Sequence, residues 1–133
     1  MENYPVQVLL AFAQTFDDPE GNFLNWLLHN GYPELAALSS AIRGSEEAFD
    51  WLMKHKFYHL AALDGAIDNQ AKASEWLRQY NFQLLIALAG AVNNRPEAVA
   101  WLGERDLLIF LHIAGRIRFF RDSQTWDYHK KPF

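Results

Sequence analysis

The chain has 133 residues, 50% apolar and 21% charged, which is enough for one domain with a buried core and excludes a disordered or collagen-like chain. It has no cysteine, so disulfides, zinc thiolates, iron-sulfur clusters and thiol nucleophiles are ruled out. The formal charge of −4 is uneven: residues 1–115 hold 7 Lys+Arg against 14 Asp+Glu, and residues 116–133 hold 5 against 2, so the acidic body repels nucleic-acid phosphates.

The N-terminus, Met1-Glu2-Asn3-Tyr4-Pro5, lacks the positive charge of a signal peptide, and the apolar run Leu84 to Val92 is too short to span a bilayer. A soluble cytoplasmic protein is the expectation. Val8, Leu9 and Phe12 predict a first helix. Asp18-Pro19-Glu20 reads as the start of a second, running through Phe23 to Trp26. Residues 1–25 thus form a degenerate opening cap.

From Trp26 onward the chain repeats. The five tryptophans stand at Trp26, Trp51, Trp76, Trp101 and Trp126, each 25 residues after the last. Leu27, Leu52, Leu77 and Leu102 follow the indoles, and Tyr32, Phe57, Phe82 and Leu107 form the next column. Further columns are Leu35, Leu60, Leu85 and Phe110, then Leu38, Leu63, Leu88 and Ile113, then Ile42, Ile67, Val92 and Ile117. Alanine keeps step at Ala37, Ala62 and Ala87, at Ala41, Ala66 and Ala91, and at Ala48, Ala73 and Ala98. Apolar residues three and four apart, as in Leu35, Leu38, Ala41 and Ile42, predict one helix per unit. Gly44-Ser45, Asn69-Gln70 and Asn94-Arg95-Pro96 read as starts of a second helix, with Pro96 suited to a first turn. That helix buries Ala48, Trp51 and Leu52 or their counterparts and ends near Lys54, Gln79 and Glu104.

Such short pairs cannot bury their apolar faces alone. The expected fold is therefore all-α, a short α-solenoid of stacked antiparallel helical hairpins in a single domain over 1–133, with units 26–50, 51–75, 76–100 and 101–125 and a tail 126–133. Alanine columns let helices approach closely while indoles and aliphatic side chains fill the layers.

The stretch from Ala41 to Leu52, with a small residue, Gly44 at the turn and an apolar pair after it, resembles the helix-turn-helix part of an ankyrin repeat. The resemblance extends in repeated form over residues 18–118. It departs from ankyrin in its 25-residue unit, in lacking a threonine-proline-leucine-histidine start, and in leaving no room for a β-finger. It implies a helical array and a habit of binding other proteins.

Positions that keep phase but vary in identity are expected to face solvent or a partner. On the first helices these are Ala36, Ser39 and Arg43; Ala61, Asp64 and Asp68; Ile86, Ala89 and Asn93; and Leu111, Ala114 and Arg118. They make either a recognition surface, with Arg43, Asp64, Asp68 and Asn93 as polar contacts, or a solvated face. The fourth unit departs from the columns with His112 and Arg116, one turn apart, where the other units have alanine. Arg116 needs solvent or a carboxylate partner. One reading is a terminal cap, in which a folded-back tail supplies Asp122 or Asp127 and anchors Trp126. A second is a pocket of His112, Arg116, Asp122, Tyr128 and His129 for an anionic small molecule or acid-base chemistry. A third is a free tail that meets a partner through Trp126, Tyr128 and Phe133.

His55 and His59 straddle a helix boundary, so no metal site is expected, nor is any cofactor. His29 and Tyr32 read as capping and packing residues. No HExxH, phosphate loop, GxSxG or dinucleotide fingerprint occurs. The leading expectation is a noncatalytic interaction or scaffold module whose partner is another protein or a second copy of the chain. The alternative is a small-molecule-binding or enzymatic domain centred on the fourth unit.

Overall fold

The 25-residue period is a period of turns as well as of apolar side chains. The computed structural model describes residues 1–124. Its elements are α1 (Val6–Gln14), a 3-10 turn (Thr15–Asp17), α2 (Asn22–His29), α3 (Pro33–Ile42), α4 (Glu46–Lys54), α5 (Tyr58–Ile67), α6 (Ala71–Gln79), α7 (Gln83–Val92), α8 (Pro96–Glu104) and α9 (Leu108–Asp122). The described residues are all-helical, with no strand.

From α2 to α9 every connection is three residues long, and the middle residue is left-handed: Gly31, Gly44, Lys56, Asn69, Asn81, Asn94 and Asp106. In each turn the next N–H bonds back to the carbonyl five residues earlier, for example Phe57 to Leu52 at 2.8 Å and Arg95 to Gly90 at 2.9 Å. This is the Schellman closure, which satisfies carbonyls that a helix end leaves orphaned. Glycine adopts it without strain and asparagine tolerates it, whereas Lys56 and Asp106 each pay about 1 kcal/mol.

Asn69 and Asn94, expected to start the second helices, thus end the first ones instead. Only Ser45 among the in-phase N-cap residues bonds through its side chain, accepting from the Ala48 N–H at 3.1 Å; Gln70 and Arg95 make no such cap bond. Pro96 does open α8. At the head of α2, Asp18 takes the Phe23 N–H at 2.7 Å, although the helix itself begins at Asn22.

The apolar columns form one core. Leu27, Leu35, Leu38, Ile42 and Leu52 are fully buried, as are Leu60, Leu63, Ile67, Leu77, Leu88 and Leu102. Burial of each such side chain contributes about 1.5–3 kcal/mol. α3 packs on α4, α5 on α6 and α7 on α8, so the packed pair runs from 33 to 54 and its successors, and a frame counted from tryptophan cuts each pair inside its second helix. The approach within a pair is close. A Cβ placed on Gly90 would stand 2.7 Å from the Ala98 Cβ, and Ser40 and Gly65 occupy the equivalent places opposite Ala48 and Ala73.

The first helices α1, α3, α5, α7 and α9 touch in succession, and α9 also packs against α1. Position 119 is phenylalanine, in phase with left-handed Gly44, Asn69 and Asn94. A phenylalanine resists that conformation, so α9 runs on for 15 residues. Its extra turn carries Phe120 to Phe16, with ring centroids 6.2 Å apart. Arg116 reaches Asp17 at 3.0 Å. The carboxylate expected for Arg116 from the tail is therefore supplied 99 residues earlier in the chain.

Gly90→Ala is expected to destabilise the protein by about 1–3 kcal/mol, because overpacking against Ala98 outweighs the gain in helix propensity. Lys56→Gly should stabilise by about 1 kcal/mol by relieving a left-handed lysine. Urea melts of the two variants test the opposite signs.

Candidate interaction surface

Helix ends dictate where the variable polar column points. Arg43, Asp68 and Asn93 are the C-cap residues of α3, α5 and α7, and Arg118 holds the same phase within α9. Arg118 donates to the carbonyls of Ala91 at 2.7 Å and Val92 at 3.3 Å. Asn93 donates to Ile67 at 3.0 Å and Ala89 at 3.1 Å. Asp68 accepts from Arg121 at 2.7 Å. Arg43 donates weakly to Ser39 and Ser40 at 3.3 and 3.4 Å. Burial lowers the Arg43 pKa, and the Asp18 charge partly offsets this.

Asn93 and Arg118 thus join neighbouring units by donating to carbonyls near the preceding helix's end, Asp68 is tied to α9, and Arg43 stays within α3. Asp64, expected outward with them, is only 2% exposed, and Ser39 is fully buried, donating to the Thr15 hydroxyl at 2.7 Å. The physical reason is that this column faces the neighbouring first helix, where Ser39 meets Thr15, Asn93 meets the Ile67 carbonyl and Arg118 meets the Ala91 carbonyl.

The other expected cluster does not converge within the described residues. His112 and Asp122 are both exposed on α9, about 15 Å apart along the helix axis. Arg116 is engaged by Asp17, and Tyr128 and His129 lie outside the described residues, as do Trp126, Asp127 and Phe133.

A second polar group sits near the N-terminus. Tyr4 donates to Glu34 at 2.8 Å and meets Tyr32 edge-on at 5.8 Å. Burial first, then the bond to Glu34, raises the Tyr4 pKa well above its ordinary value. His59 stacks on Phe82 at 5.4 Å. Burial foremost, and then the Met1 ammonium, lower its pKa, with Glu34 opposing them.

Trp51, Trp76 and Trp101 have related surroundings, whereas Trp26 is exposed on α2. Trp51 stacks on Phe57 at 5.8 Å and Trp76 on Phe82 at 5.6 Å, each six residues on. Four residues on, Trp51 meets His55, Trp76 meets Tyr80, and Trp101 lies under the Arg105 guanidinium at 4.1 Å. Each contact of this kind contributes about 0.5–1.5 kcal/mol. The rings are half-buried, not enclosed between layers as the repeat suggested.

Beside them lie open clefts that keep the period. One of about 320 Å³ between α7 and α8 is lined by Gln83, Ile86, Ala87, Gly90, Arg95, Glu97, Ala98 and Trp101. Another of about 340 Å³ on α3 and α4 has Pro33, Ala36, Ala37, Ser40, Ser45, Glu47, Ala48 and Trp51, each 50 residues earlier, with Leu24 and Leu28 of α2 added. Between them a cleft of about 460 Å³ includes Tyr58, Lys72 and Trp76, which hold the corresponding phase. The first and third clefts share a floor of small residues, Ala37, Ser40 and Ala48 matching Ala87, Gly90 and Ala98. In the middle pair Ala62 and Ala73 are fully buried and the cleft is lined by Met53, Glu75 and Gln79 instead, while the rim changes from Glu47 to Lys72 to Glu97. Variation along the first helices does not reveal these clefts, whose changing rim lies on the second helices. The alternating charge directly before the Ala48, Ala73 and Ala98 column was the available signal.

No family model, curated protein or solved structure matches this chain. Among the described residues no helix is long and apolar enough to cross a membrane, and no group of three or more His, Cys, Asp or Glu could hold a metal ion.

Arg118→Leu is expected to cost about 1–3 kcal/mol in a urea melt, since the α7 carbonyls lose a charged donor. The His59 pKa is lower folded than unfolded, so the unfolded chain binds the proton more readily. The His59 contribution is complete above pH ~6.5 and is lost as the pH falls below it. Melting temperatures measured from pH 8 to 5 should fall less for His59→Leu, which places the residue found at Leu84, than for the parent.

Proposed function

We propose that this chain is a noncatalytic interaction module, a short solenoid of helix pairs whose successive clefts hold one extended partner protein. What supports the reading is the recurrence of a cleft beside Trp51, Trp76 and Trp101 on three consecutive pairs, the outer two with matching floors and each with a different rim. A repeated floor provides non-specific apolar contact, and a rim that alternates acidic, basic, acidic sets register along a chain laid across it. The half-buried indoles add the aromatic anchors that dominate interface energetics. A partner with basic, acidic and basic side chains in that order complements Glu47, Lys72 and Glu97.

Photocrosslinking in the native cell tests this. A photoreactive residue at Glu47, Lys72 or Glu97 should trap one and the same protein, and a probe at the open Gly103 on the other side of α8 should not. Unrelated products at the three cleft positions, or equal trapping at Gly103, would overturn the proposal.

A further inference from the structure

The helices α3, α5 and α7 each take the helix that follows them onto one face, and the contact between α7 and α8 closes on Gly90. Gly115 of α9 holds the same phase as Gly90, but a Cβ there would meet nothing within 4 Å. Among the described residues no helix follows α9. Among the described residues, the position at which α7 receives α8 is thus open on α9.

That position belongs to a single stripe. At 100° per residue, Leu108, His112, Gly115 and Phe119 fall within a narrow sector of α9. All four are accessible: Leu108 and Phe119 are each 59% exposed, His112 is exposed, and Gly115 is partly so. The stripe is also self-complementary. A two-fold axis at the level of Ile113 and Ala114, with the helices antiparallel, sets Leu108 of one copy opposite Phe119 of the other and His112 opposite Gly115. Both large apolar side chains are then covered, and each imidazole fills a position where the partner has no side chain. Asp122, unfavourably placed at the C-terminal end of its own helix, falls beside the N-terminal end of the other.

We propose that α9 is the interface of a two-fold homodimer, formed through the Leu108, His112, Gly115 and Phe119 stripe of each copy. The surface is separate from the clefts between helix pairs, so the outcome for one leaves the other standing. Two copies joined on a closed interface are the commonest soluble oligomer, and small residues at the crossing let the helix axes approach.

Sedimentation equilibrium on the full chain should show the mass rising from 15.4 kDa toward twice that value with concentration. Gly115→Leu blocks the open position without crowding the single chain, so it should weaken association at least tenfold while leaving the melt of the dilute protein unchanged or higher. Register is read by cysteine crosslinking, since the chain has no native cysteine. Leu108→Cys mixed with Phe119→Cys should form a disulfide, and so should His112→Cys mixed with Gly115→Cys. Leu108→Cys alone should not, because its two copies lie about 16 Å apart along the axis. A monomer at every concentration, a dimer indifferent to Gly115→Leu, or a Leu108→Cys disulfide with itself would each overturn the proposal.

Discussion

The left-handed residue at the centre of each three-residue turn is the constraint from which the rest of the structure follows. A ten-residue helix, a turn, a nine-residue helix and a second turn make up the 25-residue period. Helices that short are marginal in isolation. They persist because the turn returns each one onto its neighbour, where its aliphatic stripe joins a shared core. The glycine and alanine columns are a consequence: a three-residue connection leaves the paired helices too close for larger side chains.

The end of the array obeys the same rule by departing from it. Where the earlier units have Gly44, Asn69 or Asn94, the last has Phe119, and the helix does not stop. That single difference lengthens α9, and its added turn brings Phe120 to Phe16 and Arg121 to Asp68. The first and last helices of the described chain are joined in this way, and no helix among the described residues occupies the face of α9 that carries Gly115.

Much of the fold was legible in advance. The tryptophan spacing and the leucine, isoleucine and alanine columns are periodic signals that survive reading in one dimension, and the observed ends at Lys54, Gln79 and Glu104 agree with them. The candidate site was legible only in part. Variation in phase predicts exposure, yet Asp64 is buried and Asn93 and Arg118 cap carbonyls of the preceding unit. In phase, a buried polar seam and an exposed recognition row look alike. Asn69 and Asn94 are ambiguous for a related reason: asparagine suits both a helix start and a left-handed stop, and only backbone angles separate the two.

The order of residues by itself determined that the chain is helical, that its elements repeat, and which side chains form the core, because these depend on spacing within one helix. Which helix faces which, that Arg116 meets Asp17, that the clefts lie beside the indoles, and that Gly115 stands open were decided by tertiary structure. These depend on contacts between residues far apart in the chain, and the repeat, being the same in every unit, carries no information about how its two ends meet.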